Sequence, residues 1–123
     1  MRKTILWIED EFDRVKFYKE KAFPIEKYDV HHVVKFNIDD FNCEYNLIII
    51  DILLPGDNAK GVEIKGMTHI KEIRKKCKHI PIIVFSGIED ENRIKECLNN
   101  GANSFLVKYC IVNEFINEVH KYI

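Results

Sequence analysis

Five polar residues stand directly after apolar stretches of this sequence, at points where buried strands would end. They supply three carboxylates, one hydroxyl and one ammonium: Glu9, Asp10, Asp51, Ser86 and Lys108. Because the carboxyl ends of parallel strands lie at one edge of a sheet, a parallel arrangement would gather these groups. Taken singly, each has an ordinary explanation, such as acids at a helix N-terminus or an aspartate that starts a loop. Their recurrence after four of five predicted strands favours a shared site.

The chemistry that fits this set is phosphoryl transfer to a carboxylate. Crowded carboxylates repel one another and form a hard-oxygen site that suits Mg²⁺. The carboxylate of Asp51 can act as a nucleophile and form an acyl phosphate. Mg²⁺ and Lys108 can neutralise charge on the transferring group, and the Ser86 hydroxyl can hydrogen-bond one of its oxygens. Catalysis would then consist mainly of positioning and electrostatics.

Strands alternating with helices must hold these residues in place. Short unbroken apolar runs are typical of strands buried on both faces of a parallel sheet. The predicted strands are 4–8, 28–34, 47–50, 80–85 and 104–107. The predicted helices are 12–23, a short helix within 36–45, 67–77, about 89–100 and 112–123, with a polar loop at 57–65. This β-then-α order predicts an α/β fold with helices on both faces of the sheet.

Composition limits the function further. The chain has 123 residues, which fits a single domain over 1–123, and 46% of them are hydrophobic. A net charge of −1 from 19 basic and 20 acidic residues gives no support for nucleic-acid binding. No apolar run is long enough to span a membrane, and the first residues do not form a signal peptide, so we expect a cytoplasmic location without membrane contact.

The cysteines are predicted to be ordinary core residues. Cys43, Cys77, Cys97 and Cys110 are widely spaced, without a Cys-x-x-Cys pair or zinc-site spacing. We therefore expect all of them to be reduced, small and mostly buried apolar side chains.

Four segments together resemble the receiver domain of bacterial two-component response regulators. They are Glu9-Asp10-Glu11, Asp51-Ile-Leu-Leu-Pro55-Gly56, Phe85-Ser86-Gly87 and Gly101-Ala-Asn-Ser-Phe105-Leu-Val-Lys108, in this order and at suitable intervals. The resemblance covers nearly the whole chain. It implies a flavodoxin-like (βα)5 three-layer sandwich, with a parallel five-stranded sheet of order 2-1-3-4-5.

The resemblance also implies a role for each site residue. Asp51 matches the phosphoacceptor, Lys108 the lysine that pairs with the phosphoryl group, and Ser86 the hydroxyl residue that moves toward it. Phe105 matches the aromatic switch position, which turns inward with Ser86. The implied Mg²⁺ ligands are Asp10, Asp51, the backbone carbonyl of Leu53, and Glu9 acting largely through water.

The implied partners are a sensor histidine kinase or histidine phosphotransfer protein, and a downstream effector. The effector would bind the face built from the fourth helix, the fifth strand and the fifth helix. Such a domain is a signalling protein that catalyses only its own phosphorylation and dephosphorylation. A homodimer through the last helix is also possible. The sequence does not identify the kinase, the stimulus or the output. It also does not show whether an effector domain follows Ile123 in the natural protein.

Two alternatives stay open at this point. Glu9 stands where aspartate is usual, Tyr109 follows Lys108 where proline is usual, and the loop 57–65 is long. These departures motivate a pseudo-receiver that signals without phosphate as a protein-interaction module. A flavin- or nucleotide-binding enzyme would need a glycine loop after the first strand, where the acids of 9–11 stand instead.

Overall fold

The computed structural model describes residues 2–52 and 65–123. Three predictions from the sequence fall on the remaining residues. These are the metal-binding carbonyl of Leu53, the turn at Pro55-Gly56, and the loop 57–65 except for Lys65. They lie outside the described residues.

Five parallel strands form one sheet in the order β2-β1-β3-β4-β5, as predicted. The strands are β1 (Lys3–Ile8), β2 (Tyr28–Val33), β3 (Leu47–Ile50), β4 (Ile82–Ser86) and β5 (Ser104–Val107). The helices are α1 (Phe12–Ala22), α2 (Lys65–Lys76), α3 (Glu91–Asn99) and α4 (Val112–Val119), with a 3-10 helix at Ile38–Asp40. This is the doubly wound, flavodoxin-like order, in which ligands bind beyond the carboxyl ends of the strands.

Alternate residues of the strands face two separate cores, which explains why the strands are apolar throughout. On one side Leu6 and Ile8 of β1 pack with α2 and α3 through Ile70, Ile73 and Cys97. On the other side, neighbouring strand residues pack with α1 and α4 in a second cluster: Ile5, Trp7, Leu47, Ile49, Val15, Phe115 and Val119. The strand ends are therefore held rigidly between two helical layers. Among the described residues, the helices are too short and too polar to cross a bilayer.

The register of the strands aligns their carboxyl ends. Ile8 pairs with Ile50 across β1 and β3, and Ile50 pairs with Val84 of β4. Ser86 at the end of β4 pairs with Val107 at the end of β5. Residues that follow these strands consequently emerge at one edge of the sheet.

Several boundaries differ from the predicted ones for local reasons. The region 36–45 forms only one 3-10 turn, in which the Asn37 side chain accepts a hydrogen bond from the Asp39 backbone at 3.0 Å. Helix α2 begins at Lys65, which had been assigned to the loop, instead of at residue 67. Strand β4 begins after Pro81, which has no N–H to donate to a ladder. Helix α4 ends at Val119, where the following N–H groups form tighter turns.

The prediction that all four cysteines are reduced core residues is wrong for one pair. Cys43 is exposed and forms a disulfide with the buried Cys77, with their Cα atoms 5.7 Å apart. The bridge ties the segment before β3 to the end of α2, so tertiary packing brings together two residues that are 34 positions apart. Cys97 and Cys110 are buried free thiols, as expected.

We expect reduction of this bridge to lower the free energy of unfolding by roughly 2–4 kcal/mol, because the bridge restricts the unfolded chain. Denaturant unfolding of the oxidised and the reduced protein measures the difference. Cys43→Ser is the matched control, since the residue is exposed and the variant should not respond to reductant. Identical unfolding curves for oxidised and reduced wild type would contradict the bridge.

Candidate functional site

The polar side chains at the carboxyl ends of β1, β3, β4 and β5 meet in one cluster. The Lys108 ammonium contacts the Asp51 carboxylate (Nζ–Oδ2 2.7 Å) and the Glu9 carboxylate (Nζ–Oε2 2.9 Å). The Ser86 hydroxyl donates to the other oxygen of Asp51 at 2.7 Å. Glu9 and Ser86 are fully buried, and Asp51 is nearly so. Four residues that lie far apart in the sequence thus share one pocket at the predicted edge of the sheet.

Backbone contacts fix where these side chains start. The Asp51 N–H donates to the carbonyl of Ile8 at 3.0 Å, which continues the ladder between β1 and β3. The Lys108 N–H donates to the carbonyl of Ser86 at 2.9 Å, which does the same for β4 and β5. Ser86 is therefore the last residue of its strand, and Glu9, Asp51 and Lys108 each stand one residue beyond theirs, so the sheet ladders set their positions.

Burial and charge shift the ionisation of this cluster. Burial raises the pKa of Glu9 to about 7; the Lys108 hydrogen bond opposes this shift, and the charge of Asp51 adds to it. Burial works against the charge of Lys108, but hydrogen bonds to Asp51 and Glu9 outweigh it and raise the pKa of the ammonium. Lys108 therefore remains a cation, while Glu9 changes its charge near neutral pH.

The acids of this cluster fit a divalent cation. One carboxylate oxygen from each of Glu9, Asp10 and Asp51 lies within 4.8 Å of the others. Within the described residues this cluster holds three carboxylates and one ammonium, so negative charge is in excess there once the acids are ionised. The buried Oε1 of Glu9 has no hydrogen-bond partner in the part of the chain described, which is unusual for a buried carboxylate. Hard oxygens with excess negative charge are what Mg²⁺ requires.

The two other predicted site residues, Asp10 and Phe105, lie in different settings. Asp10 is exposed at the start of the turn into α1, so it can offer an oxygen to an ion that approaches from solvent. Phe105 lies in β5 and packs partly buried against the core on the α2 and α3 side. Its movement together with Ser86 stays a prediction.

The sequence reading missed two residues that shape the site. The Nε2 of His32 in β2 donates to the carbonyl oxygen of Glu9 at 2.7 Å, and its ring stacks on Phe12. A Cβ atom on Gly66 would lie 2.6 Å from the Ile52 carbonyl oxygen and 2.7 Å from that of Asp51. Only glycine lets α2 approach this backbone. A glycine directly before the predicted helix 67–77 was the available signal.

Comparison with known families agrees with this geometry. The sequence matches the model of the response regulator receiver domain over residues 5–120. The chain therefore belongs to the response regulator receiver domain family, whose members are in general signalling domains of two-component systems and not classical enzymes.

Individual relatives are similar over different shares of their length. Response regulator RppA of Synechocystis sp. is 30% identical over 118 residues, which cover 91% of this chain and 47% of RppA. Two-component response regulator-like PRR37 of Oryza sativa subsp. indica is 29% identical over 80 residues, or 65% of this chain and 10% of PRR37. The chain thus spans less than half the length of either relative.

Solved receiver domains share the fold. The non-phosphorylated HemR receiver domain from Leptospira biflexa superimposes with a TM-score of 0.79 at 21% identity. The match covers 98% of this chain and 94% of the HemR chain. At this identity the likeness confirms the architecture, while the roles of individual residues rest on the geometry above.

The buried Glu9 makes stability depend on pH in the metal-free protein. Its folded pKa of about 7 exceeds the ordinary glutamate pKa of 4.5, so the folded state binds this proton more tightly. The resulting stabilisation is complete below about pH 4.5 and is lost as the pH rises through about 7. We expect Glu9→Gln to be more stable than wild type at about pH 8, by up to about 3 kcal/mol.

Chemical denaturation from about pH 5 to about pH 8 in the presence of a chelator tests this expectation. The amide oxygen of the variant can still accept from Lys108, so the pocket keeps its shape. Glu11→Gln is the control, because Glu11 is exposed and pairs with Arg14 at the surface. The interpretation fails if Glu9→Gln keeps the pH slope of the wild type.

Proposed function

We propose that this domain accepts a phosphoryl group on Asp51 from a phosphohistidine of a sensor kinase or phosphotransfer protein, and thereby changes its binding to a downstream partner. The observation that carries the proposal is the arrangement around Asp51. One carboxylate oxygen contacts the Ser86 hydroxyl, the other contacts the Lys108 ammonium, and two more acids adjoin them. Membership of the receiver family supports the same chemistry.

The proposed reaction uses each group in a defined way. A carboxylate oxygen of Asp51 attacks phosphorus, an O–P bond forms, and the P–N bond to the donor imidazole breaks as the imidazole takes up a proton. The Lys108 ammonium lies 2.7 Å from Asp51 and is placed to stabilise negative charge on the transferred group. The Ser86 hydroxyl can donate to a second oxygen of that group. Attack of water on phosphorus then releases inorganic phosphate and restores the carboxylate.

The acids would hold Mg²⁺, with Asp10 and Asp51 as direct ligands and Glu9 beside them. Bound there, the ion would neutralise charge on the phosphoryl oxygens. Lys108 already pairs with Glu9 and Asp51, so it prevents two buried carboxylates from facing each other unpaired. The proposed ligand role of the Leu53 carbonyl rests on the family resemblance alone.

We propose that residues 1–123 act as one receiver unit in the cytoplasm, where a kinase can reach Asp51. The effector surface would be α3, β5 and α4, with Phe105 and Ser86 as the switch between the two states. Because cytoplasmic thiols are kept reduced, the Cys43–Cys77 pair would be a dithiol there and would close only on oxidation.

A second candidate is a pseudo-receiver that binds partners without phosphorylation. The observation that favours it is that the Lys108 ammonium already bridges Glu9 and Asp51, so the pocket is partly satisfied without an ion. PRR37, which is named "response regulator-like", is nearly as identical to this chain as RppA, at 29% against 30%, although over 80 instead of 118 residues.

Phosphorylation is tested by intact-mass measurement after incubation with a small phosphodonor and Mg²⁺. We expect wild type to gain one phosphoryl group and Asp51→Asn to gain none, because an amide oxygen is a poor nucleophile. Lys108→Ala should react at least about tenfold more slowly, since about 1.4 kcal/mol of lost charge stabilisation has that effect. Glu11→Gln is the control for a nearby surface acid.

Two outcomes would decide against the phosphoacceptor. One is a wild type that gains no mass, and the other is an equal gain on Asp51→Asn. In the same samples, 10 mM Mg²⁺ should stabilise wild type by roughly 1 kcal/mol if it binds at millimolar strength. No change in melting temperature, together with no gain in mass, would favour the pseudo-receiver.

A further inference from the structure

The backbone of Lys108 lies in a turn between β5 and α4, outside any strand or helix. Contacts other than its own ion pairs are therefore needed to fix its position. The Cys110 N–H donates to the Val107 carbonyl at 3.0 Å, which closes a tight turn across Lys108 and Tyr109. Tyr109 is 62% exposed, so its ring contributes little packing to the turn. Neither residue is a proline, so covalent geometry does not fix this backbone.

The hydroxyl of Tyr18 reaches this turn from α1, which packs on the same face of the sheet as α4. It lies 2.6 Å from the carbonyl oxygen of Cys110 and 3.1 Å from that of Lys108. A phenol has one O–H to donate, and both neighbours are acceptors, so the donation is mainly to the nearer Cys110 and is shared with Lys108. One hydroxyl therefore contacts the backbone on both sides of Tyr109.

The ring of Tyr18 is itself fixed by packing. Its centroid lies 5.1 Å from those of Phe85 and Phe115, in edge-on contact with Phe85. Phe85 directly precedes Ser86, and Phe115 is fully buried in α4. The hydroxyl thus extends from a tightly packed aromatic cluster. Such a fixed hydroxyl can hold the turn 108–110 in one position.

These contacts lead to one inference, which rests on the proposed function. We infer that Tyr18 is a positioning residue for phosphoryl transfer, which fixes the turn 108–110 so that the Lys108 ammonium stays against Asp51 and Glu9. Tyr18 does not touch the reacting atoms; it acts through the backbone of Lys108. The simpler reading is that Tyr18 is a core aromatic whose hydroxyl merely finds a partner. The two readings differ in what happens to Lys108 when only the hydroxyl is removed.

Tyr18→Phe keeps the ring and removes the hydroxyl. One hydrogen bond contributes about 1 kcal/mol net, which changes an equilibrium constant about fivefold. Loss of the hydroxyl should therefore shift the equilibrium between the ordered and the disordered turn 108–110 by about that factor toward the disordered form. The first readout is the rate at which an amine-reactive ester labels Lys108, followed by peptide mass spectrometry. The Lys108 side chain is 20% exposed, so the reagent can reach it. We expect labelling about three- to tenfold faster in Tyr18→Phe, with exposed Lys121 unchanged.

The second readout is the phosphorylation rate as a function of phosphodonor concentration. A positioning role predicts a lower rate at saturating donor, by about three- to tenfold, with an unchanged half-saturating concentration. Tyr28→Phe is the matched control, because Tyr28 packs against the same core but lies at the opposite, amino-terminal edge of the sheet. It should change neither readout, even if it lowers the melting temperature.

The outcomes separate this inference from the proposed function. Equal labelling of Lys108 in wild type and Tyr18→Phe overturns the positioning role, whether or not the domain is phosphorylated. Faster labelling with an unchanged saturating rate also overturns it, because the hydroxyl would then order the turn without serving the reaction. If wild type takes no phosphoryl group, the proposed function fails, and with it the role of Tyr18 in transfer, while faster labelling would still show that Tyr18 holds Lys108.

Discussion

The bridge that the Lys108 ammonium makes between Glu9 and Asp51 is the interaction on which the rest of the site depends. It joins residues from the ends of three strands, with Nζ–O distances of 2.7 and 2.9 Å. Two buried carboxylates side by side would otherwise repel each other and lack compensation for lost hydration. In the proposed phosphoryl transfer, the same cation would stabilise the charge on the group attached to Asp51. One interaction would then both stabilise the resting pocket and serve the proposed reaction.

The surrounding structure keeps that bridge in place at some cost to stability. Two apolar cores hold the strands, and Gly66 lets α2 approach the backbone of Asp51 and Ile52 more closely than any other residue would allow. The cost is the burial of Glu9. Its pKa is raised to about 7, so the folded state disfavours its ionised form. Strongly shifted pKa values of this kind are typical of functional sites.

The fold and most of the site were predictable because they depend on local patterns. Unbroken apolar runs identified β3 and β5 to the residue, and the polar residues after the strands identified Glu9, Asp51, Ser86 and Lys108. Element ends were less predictable. Helix α4 ends at Val119 although its apolar pattern continues, because Tyr122 and Ile123 pack on the core from turns and not from a helix.

The sequence alone determined which residues end the strands, and hence which chemical groups share one edge, because parallel strands expose the same end and apolar periodicity is local. Tertiary structure alone decided which of those groups touch. The pairing of Cys43 with Cys77, the donation from His32 to the Glu9 carbonyl and the reach of Tyr18 to the turn at 108–110 join residues 23 to 92 positions apart. No local pattern encodes such contacts, because they depend on how helices dock on a completed sheet.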